Sequence, residues 1–238
     1  MDPLEDFMTT RPPTARRPLF GLTVLVVEDS RFACEAMRLL CLRSGARIRR
    51  ADSIEYAHKH LNTYRPSILI VDVGLPDGSG LELIKTCNAK IPRIDVILGT
   101  SGDADVENAV QDAGANGFIP KPISSLGAFQ SAILQHLPSE KQPPGPRLLT
   151  DEMVTPDIIA YHDDLSLVAS VIKSGATPEQ LGYVTQFLKG VARSAEDTAL
   201  NAAATELADK HACGTSTEAD LIALGAMVQS RLELVGPL

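Results

Sequence analysis

Short apolar runs alternate with amphipathic stretches through the first half of the chain, and that alternation leaves few folds open. LTVLVV (22–27), SILIVD (67–72) and DVILGT (95–100) are near-continuous runs rich in valine and isoleucine. Runs of that kind belong to strands covered on both faces. ARIRRA (46–51) alternates like an edge strand, and GFIP (117–120) is a last short strand. Helical spacing fills the intervals over 30–43, 54–61, 81–87, 105–113 and 124–137. The pattern predicts an α/β domain: a doubly wound, five-stranded parallel sheet with helices on both faces.

The strand pattern stops before SEKQPPGPR (139–147), a polar stretch rich in proline and glycine that reads as a linker. Beyond it only helical stripes occur. Ile158, Tyr161, Leu165, Val168 and Ile172 are spaced 3, 4, 3, 4, and Leu181, Val184, Leu188 and Val191 repeat the spacing. Leu200, Ala204, Leu207 and His211 make a weaker third stripe, and Leu221, Leu224, Val228 and Leu232 a fourth. Thr177-Pro178 followed by Gln180 predicts a capping box with proline at the first helical position. A similar start is expected over Thr217 to Asp220, and helix ends at Gly175 and Gly214. The expected organisation is a flexible tail over 1–20, a sheet domain over 21–138, a linker over 139–150 and a four-helix, all-α unit over 151–238.

Charge separates the halves. Residues 151 to 238 carry thirteen acids and five bases, hence the whole net charge of -8, while residues 1 to 150 balance. An acidic helical half is a poor match for a phosphate backbone, so nucleic acid is not the expected partner. No apolar run approaches the length of a membrane span. The N-terminus has no signal-peptide core, so a cytoplasmic protein is expected. The four cysteines, Cys34, Cys41, Cys87 and Cys213, have neither paired spacing nor nearby histidines, which favours reduced thiols.

In a doubly wound sheet, ligands bind outside the carboxyl ends of the strands. Here the first strand ends in Glu28-Asp29, the third in Asp72 and the fourth in Thr100-Ser101, and Lys121-Pro122 follows the fifth. Three carboxylates at one edge repel each other, and a hard divalent cation relieves that repulsion. Oxygen ligands with room for water suit Mg²⁺. Asp72 then reads as a carboxylate nucleophile toward phosphorus, with the metal and Lys121 neutralising the transferring phosphoryl group and the hydroxyl bonding one of its oxygens. GLPDGSG (74–80) turns the chain away and aims a backbone carbonyl near Gly74 at the metal. Taken one at a time these residues have blander readings: helix caps, a solvated lysine, a core phenylalanine. Their joint order is what carries the reading.

VLVVEDS, VDVGLPDGSG, VILGTS and AGANGFIPKP together make residues 22 to about 137 resemble the receiver domain of bacterial two-component response regulators, a flavodoxin-like fold. The resemblance implies that Glu28 and Asp29 hold the metal, that Asp72 is phosphorylated and that Lys121 binds the phosphoryl group. It also implies that Thr100 is the switching hydroxyl, that Phe118 is the aromatic that turns inward with it, and that the Lys121-Pro122 bond is cis. Two departures stand out. The loop from Thr100 to Ala113 is about one residue short, which leaves Ser101 as an alternative hydroxyl, and Gly99 is unusual inside a strand. The implied partners are a histidine kinase or a phosphotransfer protein.

For residues 151–238 three outputs compete: protein contact or self-association, DNA binding, and phosphorelay through histidine. LVASVIKSGATPEQLGYVTQFL has a helix-turn-helix look, but its second helix offers only Lys189 and Arg193, late in its length. TQFLKGVARSAEDTAL weakly resembles the core helix of histidine-phosphotransfer domains, with Gln186 where the histidine belongs. His162 lacks the motif that should follow it. The favoured reading is a response regulator whose acidic helical unit contacts protein.

Overall fold

The computed structural model describes residues 12–145, 150–175, 177–214 and 218–234. In chain order the first half forms β1 (Thr23–Val27), α1 (Arg31–Ser44), β2 (Arg47–Ala51), α2 (Ile54–Thr63) and β3 (Ile68–Asp72). It continues with α3 (Gly80–Asn88), β4 (Val96–Ser101), α4 (Glu107–Asp112), β5 (Gly117–Pro120) and α5 (Leu126–Leu134). The five strands are parallel in the order 2-1-3-4-5. A small antiparallel hairpin, Gly74–Leu75 with Gly78–Ser79, follows β3.

Side chains on a strand alternate between faces, and each strand is divided accordingly. Val24, Val26, Ile68, Ile70, Val96 and Leu98 pack with Met37, Leu40, Phe129 and Ile133 of α1 and α5. Leu25, Val27, Leu69, Val71 and Ile97 pack with Ala57, Leu83, Ile84 and Val110 of α2, α3 and α4. Serine hydroxyls cap four of the helices at their starts: Ser30, Ser53, Ser79 and Ser125. Gly99, anomalous in the sequence, has a steric reason. A β-carbon there would lie 2.5 Å from Val110 Cγ1, so the glycine lets α4 close onto the sheet.

The edges of this domain differ from the sequence-based boundaries. Leu19 is fully buried and its N–H bonds the Ser44 carbonyl at 2.9 Å, so the chain is anchored before residue 21. At the other end, Lys141 pairs with Asp95 at 2.5 Å, and Gln142 donates to the carbonyls of Leu134 and Leu137. Met153 bridges Ser125, and Val154 joins the core beneath α1 and α5. Single apolar residues in polar surroundings carry no periodicity, which is why pattern alone missed them. Residues 1–11 and 146–149 of the expected tail and linker lie outside the described residues.

Among the described residues, the chain from Ile158 onward is helical: α6 (Ile158–Lys173), α7 (Pro178–Ser194), α8 (Thr198–Ala212) and α9 (Glu218–Leu234). The apolar stripes form its core, with Leu165, Leu188, Val191, Leu200, Ala204, Leu207 and Val228 fully buried. The capping box forms: Thr177 Oγ1 accepts from Gln180 N–H and Gln180 Oε1 from Thr177 N–H. Gly175 and Gly214 adopt positive φ, 82° and 68°, just after the ends of α6 and α8. Thr217, expected to begin the last helix, lies outside the described residues. Among the described residues no helix is long and apolar enough to cross a membrane.

Candidate functional site

The strand ends deliver what their order predicts. Glu28, Asp29 and Asp72 each offer a carboxylate oxygen, and the three oxygens lie within 4.8 Å of one another. Lys121 Nζ, buried, sits 2.7 Å from Glu28 Oε2 and 2.8 Å from Asp72 Oδ2. Burial pushes the Glu28 carboxyl well above its usual range; Lys121 opposes the shift, and Asp72 and Asp29 add to it. Asp29 is pushed up to about 6 by burial, against a hydrogen bond from Tyr183 that favours its charge, with Asp72 raising it further. Burial works against the charge of Lys121, but Asp72 and Glu28 outweigh it and hold the ammonium above its ordinary pKa.

A divalent cation fits this donor set. Three carboxylates converge on one point, and Lys121 pairs with two of them. Glu28 Oε2 is buried and meets Lys121 at ion-pair distance without a well-formed hydrogen bond. Hard oxygen donors of this kind, beside an open cavity that admits water, suit Mg²⁺.

The turn after Asp72 is packed tightly against the Asp72 backbone. Gly80 is required by contact, since a β-carbon there would come within 1.9 Å of the Asp72 backbone carbonyl oxygen. Asp77 caps α2, accepting from the N–H groups of Ile54 and Glu55 at 2.9 Å each. Gly74 lines the cavity in front of Asp72. Thr100 stands opposite Asp72 in the β3–β4 register, fully buried, its Oγ1 donating to the Ile119 carbonyl at 2.8 Å. Ser101 lines the cavity, and its Oγ accepts from Asp103 N–H. Phe118 is half-buried against the cluster beneath α2, α3 and α4. The Lys121-Pro122 bond is cis, as the resemblance implied. Cys34, Cys41 and Cys87 are buried free thiols, and Cys213 is an exposed one.

Residues outside the sequence-based set complete the site. The helical unit lies directly on the acceptor edge. Phe32 of α1 is buried in the helical core, its ring 5.6 Å from that of Tyr161. Tyr183 Oη donates to Asp29 Oδ2 at 2.6 Å. Gln186 lies so close to Gly74 that a β-carbon on the glycine would meet its Nε2 at 2.1 Å. Glu28, Asp72, Gly74, Ser101 and Lys121 therefore share a cavity of about 380 Å³ with Gln186, Lys189, Gly190, Arg193 and His211. One signal for this was in the sequence: Tyr183, Gln186, Gly190 and Arg193 are spaced 3, 4, 3 on α7, a polar stripe beside the apolar one. His162 is not among the residues lining that cavity.

The family model for the response regulator receiver domain matches residues 24–133. The KDP operon transcriptional regulatory protein KdpE of Escherichia coli is 29% identical over 110 residues, 46% of this chain and 48% of that protein. The virulence transcriptional regulatory protein PhoP of Salmonella typhimurium is 31% identical over 117 residues, 48% of this chain and 52% of its own. The chain thus spans about half the length of the curated relatives it matches. Among solved structures, a response regulator from Chloroflexus aurantiacus is 32% identical, with a TM-score of 0.41 over 43% of this chain and 86% of its own. Residues 24–133 of this chain are a receiver domain of the two-component response regulator family.

Proposed function

We propose that Asp72 is the phosphoacceptor and that its phosphorylation changes the contacts of the helical unit. The observation that carries this is Lys121, buried between Glu28 and Asp72 at 2.7 and 2.8 Å, beside a third carboxylate from Asp29. In the reaction an Asp72 oxygen forms the new bond to phosphorus. The bond from phosphorus to the donor breaks, and its electron pair leaves with the donor. Glu28, Asp29, Asp72 and the Gly74 carbonyl would hold Mg²⁺, which when bound neutralises charge on the phosphoryl oxygens. Lys121 supplies a second positive charge, already in ion-pair contact with Asp72. Thr100, directly across from Asp72, is the switching hydroxyl; to reach the phosphoryl group it gives up its bond to Ile119, and Phe118 follows. The chemistry is transfer to its own aspartate, from a phosphohistidine-bearing kinase or phosphotransfer protein, in the cytoplasm.

The output fits protein contact better than DNA contact. Lys189 and Arg193, the bases that a recognition helix would need, are half-buried and line the cavity over Asp72. The curated relatives are named as transcriptional regulators, but the matched lengths approximate the receiver alone. With acetyl phosphate and Mg²⁺, the intact mass should rise by one phosphoryl group, and Asp72→Asn should abolish the rise. Labelling that persists in Asp72→Asn would refute the assignment. Light scattering with and without donor should show a change in self-association or partner binding. A sequence-specific gel shift with no such change would favour a transcription factor instead.

A further inference from the structure

The acceptor site is covered by the chain itself, and the cover touches a metal-ligand candidate. Tyr183 of α7 donates to Asp29 Oδ2 at 2.6 Å. Gly74 of the receiver lies directly under the helix, where a β-carbon would strike the Gln186 amide, and Gly102 lies in contact range, where a β-carbon would stand 3.6 Å from Gly190 Cα. Gly190 in turn is close enough to the site that its own β-carbon would lie 4.0 Å from Lys121 Nζ. A second anchor holds the same arrangement at α1. Asp164 of α6 accepts from Ser30 Oγ, Arg31 N–H and Phe32 N–H at 2.7, 2.9 and 3.1 Å.

Resting on the acceptor reading above, we infer that the helical unit is an internal competitor of Mg²⁺, with Tyr183 holding Asp29 in a closed state that the metal must displace. A carboxylate has two oxygens, so one phenol bond does not by itself exclude a cation. The competition comes from the phenol, which draws on the same negative charge that the cation needs. The same cover blocks a protein donor, because a phosphohistidine cannot approach Asp72 along a path occupied by Gln186 and Gly190. Metal binding, opening of the helical unit and access by a protein donor are thereby one linked equilibrium, in which each favours the others.

The test is calorimetric titration of the full-length chain with Mg²⁺ alone, for wild type, Tyr183→Phe and Asp164→Ala. Tyr183→Phe removes one hydroxyl and keeps the ring packing. Asp164→Ala releases the second anchor, to Ser30, Arg31 and Phe32, and alters no receiver residue. Each should bind Mg²⁺ about tenfold more tightly than wild type, the equivalent of one charge-assisted hydrogen bond. Small-angle scattering should show wild type expanding on saturation with Mg²⁺ and beryllofluoride. Equal Mg²⁺ affinity in all three proteins would leave the metal site standing and overturn the competition. No Mg²⁺ binding in any of them would overturn the metal reading and this inference together.

Discussion

Asp164 and Ser30 lie 134 residues apart in sequence and 2.7 Å apart in space, the carboxylate accepting from the hydroxyl. Through Ser30, Arg31 and Phe32, a side chain of the helical unit caps the first helix of the receiver. The two units are thus joined at the residue that follows the acidic pair.

Replacing Asp164 by alanine should expose this dependence. Two backbone N–H groups and a buried hydroxyl lose their acceptor, at a cost of about 2 kcal/mol in unfolding free energy. Urea denaturation measures it. Asp163→Ala removes only an exposed ion pair to Arg31 and should cost far less. Equal costs for the two variants would mean that the cap contributes nothing special.

Lys121→Met should leave Glu28 and Asp72 facing each other without their shared cation. Breaking one partner out of a buried ionic cluster costs about 3–5 kcal/mol, so the metal-free protein should melt well below wild type. Added Mg²⁺ should recover more of the melting temperature in Lys121→Met than in wild type, because the metal then takes over the charge that Lys121 supplied to Glu28 and Asp72. An unchanged melting temperature without metal would show that Lys121 is not what balances the two acids.

Gly99→Ala should destabilise by about 1–3 kcal/mol through overpacking against Val110. The double variant Gly99→Ala with Val110→Ala should recover part of that loss, a coupling that a double-mutant cycle reads directly. Strict additivity would place the cost elsewhere than this contact.

Asp197 joins three helices. It caps α8 through Leu200 N–H, accepts from Tyr161 Oη, and is gripped by Arg231 of α9. The Arg231 guanidinium holds its carboxyl below the ordinary 3.8, although partial burial works the other way. A depressed folded-state pKa means that the stabilisation is complete above about pH 4. It is lost as pH falls through the lower folded value. Asp197→Asn should therefore lower the melting temperature at pH 7 and should also flatten its decline between pH 4 and 2. If the variant and wild type decline in parallel over that range, Asp197 is not a source of the acid sensitivity.

Much of the receiver was legible in the residues. Buried parallel strands write themselves as continuous apolar runs, and a strand that ends on an acid delivers that acid to the sheet edge whatever surrounds it. Glu28, Asp29, Asp72 and Lys121 converge because strand order and helix crossovers leave their ends side by side. The capping box at Thr177, the helix ends at Gly175 and Gly214, and the tight turn at Gly80 are local, and a few neighbouring residues determine them. The anchoring of Leu19 and Val154 was not legible, since one apolar residue has no period. Nor was the docking of the helical unit onto the acceptor edge. Tyr183 finds Asp29 across 154 residues, and Asp164 finds Ser30 across 134. Sequence alone determined which elements form and which side chains stand at their ends, because those depend on short-range periodicity and turn chemistry. Only the tertiary structure decided that the second half closes over the first, because that choice rests on complementarity between two finished surfaces, to which no local pattern responds.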